Sequence, residues 1–525
     1  MKKTLLFLVM LWAAVANSYG CTAAVITGKV TADGRPMLWK VRDTDNLQNC
    51  MKYFKGTKYN FFGIADCRAR SNKEIWMGTN TAGFSIMNTQ SFNLEKTVNG
   101  VEPGDKNGEF MFKVLNVCAT VTDLKQYLDT AKLDGLCANF GVIDAQGGAG
   151  WFEVSTRNFK YFDANDPAVA PNGFIARTNF SCTGPAHEGL GFVRYQNDEE
   201  TLTEGVKNKS ITPEWIFSTL ARSFKNPQLG IDLRDGNHNK PITSGWFTDN
   251  DLISRSGTAC SGIIKGVKPT ENPELTTMWT VIGYPPVSVA FPFWLKDAEK
   301  LLPVIYTANN NEPVTIFGKK VDTLKERVYA FHEGIGSDRY FNWEALWNKQ
   351  GNGIMQKLEP VETEIFTRTN AVTTNWYKKG KVNSKEMEKL YGNLSDYVTE
   401  QYKTLFDLQN PINQPKKKGN PRKMDCLFSL FIVSTFKTGC FEEQNRLFST
   451  AKHTLSFFEH KKRIKHTSYS LLLLAIYFCN MSLIKALNSL FSTISISEYK
   501  PSTNRPSPRK SHTSISNNHS FEFSG

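Results

Sequence analysis

One cysteine of this sequence stands where a nucleophile could begin a processed chain. Residues 1–20 start with a short positive stretch, continue with the apolar run 4–16 and end in small residues before Cys21, a pattern typical of a secretory signal peptide. Cleavage after Gly20 would make Cys21 the first residue of the mature protein. Its thiol could then attack a carbonyl carbon, and its own α-amine, with an unperturbed pKa of about 8, could take the thiol proton. The position therefore predicts an exported enzyme that needs no distant histidine as its base.

Two other interpretations of Cys21 are open. A lipidated cysteine would anchor a binding protein in a membrane, although lipoprotein signals favour an aliphatic residue three positions before the cysteine, where Ser18 stands. An ordinary thiol beside a cleavage site elsewhere would have no catalytic role. The three interpretations predict, in turn, a secreted or periplasmic enzyme, a membrane-anchored lipoprotein and an inert cysteine.

A β-hairpin is predicted to fold charged residues back toward Cys21. The strand-like runs 22–27 and 37–41 flank Asp33-Gly34. An Asp-Gly pair between two such runs indicates a hairpin, because the turn needs positive φ angles that these residues tolerate. A turn centred between Asp33 and Gly34 would place residue 46 opposite Cys21, with residues 42–45 beside the cysteine.

The end of this hairpin supplies the groups that such a nucleophile needs. The guanidinium of Arg42 would favour the thiolate, and the carboxylate of Asp45 would orient the α-ammonium group. Asparagine side chains or backbone N–H groups at strand ends would complete an oxyanion hole. All of these are protein groups, so neither an organic cofactor nor a metal is predicted. The ten cysteines include no Cys-x-x-Cys pair and so give no zinc signature.

Strand-like hairpins alternate with blocks of helical periodicity over the first 408 residues. Antiparallel hairpins with helices inserted in blocks favour an α+β fold over a doubly wound parallel sheet. The later predicted strands are 74–78, 84–88, 140–144, 151–155, 174–178, 258–267, 278–283 and 287–291. The predicted helices are 109–119, 123–131, 214–223, 322–333, 361–369, directly after Pro360, and 385–408.

The positive charge of the chain is concentrated near its C-terminal end. The 525 residues carry a formal net charge of +13. Residues 416–525 hold 17 Lys and Arg against 6 Asp and Glu, so they carry +11 of that charge. The basic balance is therefore a property of the tail, and no nucleic-acid partner is predicted for the remainder.

Three parts of the chain are expected. They are a signal peptide at 1–20, an enzyme domain at 21–408 and a basic, poorly ordered tail at 409–525. Within the tail, the uncharged segment 467–484 has a borderline length for a membrane span. Membrane contact is predicted only through this segment or through a lipid on the N-terminal cysteine, and no oligomeric state is predicted.

Two motifs near the N-terminus resemble a known family. Cys21-Thr22 at the start of the mature chain, and Arg42-Asp43-Thr44-Asp45 as an R-x-x-D motif at the end of the second strand, resemble the N-terminal-nucleophile cysteine hydrolases. That superfamily includes choloylglycine hydrolases, penicillin V acylases and acyltransferase/peptidase relatives. The resemblance covers the chain from Cys21 to about residue 300, with the helices up to 408 as a continuation.

Later motifs are similar to the same family. The turn at 78–84, followed by a strand that ends in Asn88, is similar to the family's G-x-N-x-x-G turn and the strand after it. Thr178-Asn179 is similar to a Thr-Asn pair at a strand end, and Ser254-Arg255 to a Ser-Arg pair before a strand of small residues. The proline that the family has soon after the Thr-Asn pair is missing here, which leaves the substrate open.

The resemblance implies a fold and a reaction. The fold is a four-layer αββα sandwich of two antiparallel sheets flanked by helices. The reaction is hydrolysis of a linear amide C–N bond through a thioester, with a small N-acyl amide or a short peptide as substrate. An acyltransferase or a dipeptidase would use the same site. The implied site residues are Cys21 as nucleophile and base, Arg42 and Asp45 as its supports, Asn179 with the Asn88 backbone as the oxyanion hole, and Arg255 as a further charged group.

Overall fold

The computed structural model describes residues 20–68, 73–96, 105–236, 245–308, 313–329 and 339–408. The chain divides into two units, and all described residues belong to the first, residues 1–413. The expected signal segment before Gly20 and the segment 467–484 lie outside the described residues. None of the helices in the described ranges is both long enough and apolar enough to cross a membrane.

The described part of the chain contains seventeen strands and nine α-helices. The strands are β1 (Cys21–Ile26), β2 (Met37–Asp43), β3 (Asn49–Phe54), β4 (Phe61–Asp66), β5 (Met77–Asn80), β6 (Ser85–Gln90), β7 (Ala138–Ile143), β8 (Ala149–Val154), β9 (Phe159–Asp163), β10 (Phe174–Arg177), β11 (Lys225–Asn226), β12 (Ile231–Asp232), β13 (Trp246–Thr248), β14 (Thr258–Lys265), β15 (Thr277–Ile282), β16 (Phe291–Phe293) and β17 (Tyr340–Asn342). The helices are α1 (Asn107–Val117), α2 (Val121–Thr130), α3 (Phe192–Lys207), α4 (Pro213–Trp215, continued by the π-helical turn Ile216–Leu220), α5 (Ala298–Leu301), α6 (Ile316–Glu326), α7 (Trp343–Leu346), α8 (Ile354–Lys379) and α9 (Ser384–Phe406).

Two large antiparallel sheets form the centre of the fold. The first has six strands in the order β10-β1-β2-β14-β15-β16, and the second has seven in the order β3-β4-β5-β6-β7-β8-β9. In the second sheet every strand pairs with its neighbour in sequence. The first sheet instead joins strands from distant parts of the chain, so it can bring residues that are far apart in sequence beside β1.

The second sheet lies between two hydrophobic cores, and the side chains of its strands point alternately into one and the other. Phe62 of β4 and Met87 of β6 lie in the larger core, which also holds β1 and β2 of the first sheet. Their chain neighbours Phe61 and Ile86 lie in the smaller core, with residues of α1 and α2. Successive side chains of a strand point to opposite faces, so a single strand contributes to both cores.

Helices cover the outer face of each sheet. On the first sheet, the ring of Phe366 of α8 packs at a tilt against that of Trp279 of β15, with centroids 4.1 Å apart. The ring of Trp376 of α8 meets that of Trp294 edge to face, with centroids 5.1 Å apart. On the second sheet, Phe110 of α1 packs in the smaller core. The order helix, sheet, sheet, helix confirms the predicted α+β class and its four-layer αββα arrangement.

The first hairpin forms, but its register differs from the prediction. Cys21 pairs with Arg42 and Ile26 pairs with Met37, so residue 46 is not opposite Cys21. The connection between the strands spans 27–36 rather than a two-residue turn, and Gly34 takes a positive φ of 76° within it. The prediction was wrong because it treated one turn inside a longer connection as the centre of the hairpin.

Two helices show where local patterns misled the prediction. α8 begins at Ile354 and runs through Pro360, although the helix was expected to begin after that proline. A proline near the start of a long helix removes one backbone hydrogen bond, a loss that the packed face of α8 offsets. α3 was not predicted because its buried face includes Arg194, Asn197 and Asp198 and so lacks hydrophobic periodicity.

Candidate active site

Cys21 is the first residue of β1 and lies inside the protein. Only 8% of its surface is exposed. Its backbone N–H donates a hydrogen bond to Oδ1 of Asn179 at 2.9 Å, and its partner in the β-ladder is Arg42. Side chains directly opposite each other in an antiparallel pair point to the same face. The thiol and the guanidinium therefore share the face that looks toward the second sheet.

Asn179 links the two sheets at the position of Cys21. It follows β10, the neighbour of β1, and is fully buried. Its Oδ1 accepts the Cys21 N–H, while its Nδ2 donates to the carbonyl oxygen of Gln90 on β6 at 2.8 Å. The structure thus brings Asn179 into direct contact with Cys21 and fixes the direction of its carboxamide.

Arg194 of α3 contacts Cys21 and Asn179 from the other face of β1. Its Nη1 donates to the Cys21 carbonyl oxygen at 2.6 Å and to Oγ1 of Thr22 at 2.8 Å, and its Nη2 donates to Oδ1 of Asn179 at 2.8 Å. Burial, with the nearby charge of Arg255, lowers the pKa of Arg194 to about 9. Sequence reasoning missed this residue because it sits on the helix whose buried face is polar.

Arg42 is held at the inter-sheet face by two residues of the second sheet. Its Nη1 donates to Oδ1 of Asn49 and to Oδ1 of Asp66, both at 2.9 Å. Its guanidinium also lies over the ring of Trp76, 4.5 Å from the ring centre, a cation–π contact. These contacts fix the predicted Arg42 beside Cys21.

Arg255 is paired with the last residue of β2, Asp43. Nη2 of Arg255 donates to Oδ2 of Asp43, and the Thr258 hydroxyl donates to the other oxygen of the same carboxylate. Burial is the largest single effect on the pKa of Arg255 and would lower it, but the contact with Asp43, together with the charges of Asp249 and Asp251, raises the pKa overall. The Asp43 backbone N–H also donates to the Gly20 carbonyl oxygen at 3.0 Å, which ties the pair to the residue before Cys21.

Asp45 lies away from this cluster. It is exposed, and its Oδ1 accepts a hydrogen bond from the hydroxyl of its neighbour Thr44 at 3.2 Å. β2 ends at Asp43, and the chain turns outward after it. The carboxylate that the structure brings to the site is therefore that of Asp43, which sequence reasoning placed near Cys21 without giving it a role.

Asn88 is linked to the site by a hydrogen bond from the buried side chain of Lys40. Nζ of Lys40 donates to Oδ1 of Asn88 at 2.8 Å and to the carbonyl oxygen of Trp76 at 3.1 Å. Lys40 lies on β2 opposite Ala23, two residues along from the pair that Cys21 makes with Arg42. Burial lowers the pKa of Lys40, an effect that a negative charge on Cys21 would oppose. An isolated lysine in a strand of apolar residues is the signal that could have identified it.

Gly20 is enclosed by the same side chains. A Cβ atom on residue 20 would lie 2.7 Å from Nη2 of Arg194, 2.7 Å from Nη2 of Arg255 and 2.8 Å from Oδ1 of Asn179. Carbon atoms do not approach other heavy atoms this closely without displacement. A larger residue before Cys21 would therefore have to displace the ends of these three side chains.

The described residues include no group of three or more His, Cys, Asp or Glu side chains that could hold a metal ion. The chemistry available at this place is that of a thiol, three arginines, a lysine, two aspartates and three asparagines. Together they can position a nucleophile and stabilise negative charge that develops beside it.

Comparison with known proteins returns only distant structural likeness. No protein-family model and no curated protein matches the sequence. A variant of conjugated bile acid hydrolase from Clostridium perfringens aligns over 53% of this chain and 93% of its own, with 12% identity and a TM-score of 0.32. Penicillin V acylase from Agrobacterium tumefaciens aligns over 53% and 86%, with 11% identity and a TM-score of 0.29. Penicillin G acylase from Alcaligenes faecalis aligns over 75% and 84%, with 8% identity and a TM-score of 0.27.

Proposed function

We propose that this protein is an exported amidohydrolase that cleaves linear amide C–N bonds with Cys21 as the first residue of its mature chain. The observation that carries the proposal is the contact of the Cys21 backbone nitrogen with Oδ1 of Asn179. After removal of residues 1–20, that nitrogen is the α-amine, and the same oxygen would orient it. The base would then stand on the nucleophilic residue itself.

The proposed reaction has two steps. The Cys21 thiol gives its proton to the α-amine, and its sulfur attacks the amide carbon. The tetrahedral oxyanion collapses, the C–N bond breaks, and the departing amine leaves with that proton, which gives a thioester. Water then attacks the thioester carbon with the amine again as base, releasing the carboxylic acid and restoring the thiol.

The surrounding charges suit this sequence of events. Arg42 lies on the thiol's face of the sheet and would stabilise the thiolate. Lys40 on the same face, and Arg194 from the other face of β1, add positive charge around Cys21. That charge would favour an oxyanion in a site sheltered from water. Asn179 retains a second N–H on Nδ2 besides the one bound to Gln90, and we assign it to the oxyanion. A part for the Asn88 backbone as the second donor stays a prediction.

The N-terminus of the exported protein provides the first test. We expect N-terminal sequencing and intact mass to give Cys21 as the first residue with no added group. A mature start at another residue would remove the proposed base and contradict the mechanism. A diacylglycerol mass on Cys21 would instead establish the lipoprotein interpretation.

Substitution of the nucleophile provides the second test. With a panel of N-acyl amino acids, bile-salt conjugates, penicillin V and dipeptides, we expect Cys21→Ala to lose at least about 1,000-fold in kcat/KM, because the covalent route disappears. Cys182→Ser, which changes an exposed thiol, is the matched control and should retain activity. An acyl-enzyme mass on Cys21 should accumulate with a poor substrate. Unchanged hydrolysis by Cys21→Ala would end the proposal.

A further inference from the structure

Two cysteines of the second sheet lie on one face of a strand pair. In the ladder of β3 and β4, Asn49 pairs with Asp66 and Cys50 pairs with Ala65. The ladder continues by one hydrogen bond, since the Cys67 N–H donates to the Gln48 carbonyl oxygen at 2.8 Å. Side chains alternate along each strand, so Cys50 and Cys67 share the face opposite to Asn49 and Asp66.

The two thiols interact with each other. Contact with Cys67 is the main cause that lowers the pKa of Cys50, and the same contact raises the pKa of Cys67. The Ala308 backbone N–H and the charge of Lys52 also favour the Cys50 thiolate. Cys50 is buried, whereas Cys67 is partly exposed at the end of its strand. The pair therefore combines one sulfur within reach of solvent with a neighbouring sulfur suited to attack it.

We propose that Cys50 and Cys67 form a disulfide that joins the adjacent ends of β3 and β4. The oxidant is a low-molecular-weight disulfide, such as oxidised glutathione. The Cys67 thiol passes its proton to the neighbouring Cys50 thiolate, and the Cys67 sulfur attacks the small disulfide. One small thiol leaves with that proton, and a mixed disulfide remains on Cys67. The Cys50 thiolate then attacks the Cys67 sulfur and expels the second thiol. Two protein thiols are thus oxidised, and one small disulfide is reduced to two thiols.

The bond would lie next to the support of Arg42. Asn49 and Asp66, the two residues that accept hydrogen bonds from Nη1 of Arg42, directly precede Cys50 and Cys67. A covalent link between these cysteines holds the two strands together where the guanidinium is bound. The neighbouring thiol of Cys260 does not compete for the pair, because its Sγ contacts Oδ1 of Asn49 on the other face of the sheet.

Peptide mapping of the full-length exported protein tests the proposal without any assay of activity. The protein is equilibrated with oxidised glutathione, alkylated under denaturing conditions and digested. We expect a cross-linked peptide containing Cys50 and Cys67, and a mass lower by two hydrogen atoms than that of the reduced protein. Cys182→Ser, as matched control, should retain the cross-link. Alkylation of both cysteines after oxidation, or a link from either one to another cysteine, would overturn the proposal.

Thermal unfolding gives a second, independent readout. Closing the loop between residues 50 and 67 restricts the unfolded chain, so reduction should lower the Tm of the wild-type protein by several degrees. The double variant Cys50→Ser/Cys67→Ser should show no such drop. An equal drop in the double variant would assign the effect to a different bond and contradict the proposal. Because neither measurement uses turnover, failure of the proposed amidase function would leave this result unaffected.

Discussion

The cations around Cys21 belong to two groups that differ in their partners. Arg42 and Arg255 each contact a carboxylate, Asp66 and Asp43 respectively. Arg194 and Lys40 donate to carbonyl, hydroxyl and carboxamide oxygens, which are neutral acceptors. In the part of the chain that the structure describes, each member of the first group therefore has a direct ion pair with a carboxylate, and neither member of the second group has one.

The pKa values follow this difference. Asp43 raises the pKa of Arg255 against the effect of burial, whereas burial lowers the pKa of both Arg194 and Lys40. A buried cation that is not paired with a carboxylate lowers the free energy of unfolding, unless another negative charge compensates it. The comparison indicates that the paired arginines hold the site together by their ion pairs. In the proposed reaction, Arg194 and Lys40 would add positive potential to that of Arg42.

The largest expected effect comes from breaking a paired cation. Arg42→Met would leave the Asp66 carboxylate, which is mostly buried, without its guanidinium. We expect a loss of about 3–5 kcal/mol in the free energy of unfolding, measured by urea denaturation, because an uncompensated buried charge remains. The double variant Arg42→Met/Asp66→Asn should recover part of that loss. A double variant no more stable than the single one would show that the two residues are not coupled.

The second prediction separates the two aspartates at the end of the hairpin. Asp43→Asn removes the charge bound to Arg255 and should lower kcat/KM by about 100-fold, a loss typical of site electrostatics. Asp45→Asn changes an exposed side chain and should alter kcat/KM by less than about 2-fold. Steady-state kinetics on the same substrate measure both. The reverse order of effects would assign the supporting carboxylate to Asp45 and require a rearranged hairpin end.

These two residues illustrate what local sequence patterns could predict. The hairpin pattern placed Arg42 near Cys21, and the resemblance to the family added Asn179 to the same site. The choice between Asp43 and Asp45 depended on where β2 stops and on the register of the hairpin, which the long connection 27–36 shifted. A motif spacing identifies candidate residues, but strand pairing decides which of them reach the site.

The elements that the sequence did not predict were missed for a similar reason. The strand pairs of the second sheet connect neighbours in sequence. Turn signals predicted two of these six pairs, β5 with β6 and β7 with β8, whereas β3, β4 and β9 were not predicted. α3 was invisible to hydrophobic periodicity, since its inner face carries Arg194 and other polar residues. The polar face of a helix can be interpreted only when the groups that it binds are known. For α3 these groups are the Cys21 carbonyl oxygen and Asn179. The helix that carries Arg194 was therefore not predicted.

The third prediction removes an unpaired cation. Arg194→Met loses three hydrogen bonds to Cys21, Thr22 and Asn179 but leaves no carboxylate without a partner. We expect kcat to fall by about 10- to 100-fold, with a loss of stability of about 1–2 kcal/mol, smaller than that for Arg42→Met. Arg194→Lys keeps the charge and should retain more activity. A loss of stability equal to that of Arg42→Met would remove the distinction between the two groups of cations.

The last prediction concerns a buried acid on the same helix as Arg194. Asp198 is fully buried one turn after Arg194, and in the described part of the chain neither of its carboxylate oxygens has a hydrogen-bond partner. Burial, with a contribution from the charge of Glu199, raises the pKa of Asp198 well above its usual value. The folded protein therefore keeps a proton that the unfolded chain releases at about pH 4, and Arg194 remains without a negative partner.

This proton gives the stability a definite pH dependence. When the folded state binds more protons than the unfolded state, the free energy of unfolding falls as the pH rises, here from about pH 4 up to the raised pKa of Asp198, by at most about 1.4 kcal/mol per pH unit. Asp198→Asn lacks this titration, so its stability relative to the wild-type protein should increase across that range. Urea unfolding of both proteins at several pH values between 4 and 8 measures the difference. A relative stability that instead decreased with pH would mean that Asp198 is ionised and paired with Arg194, which would then belong to the paired cations.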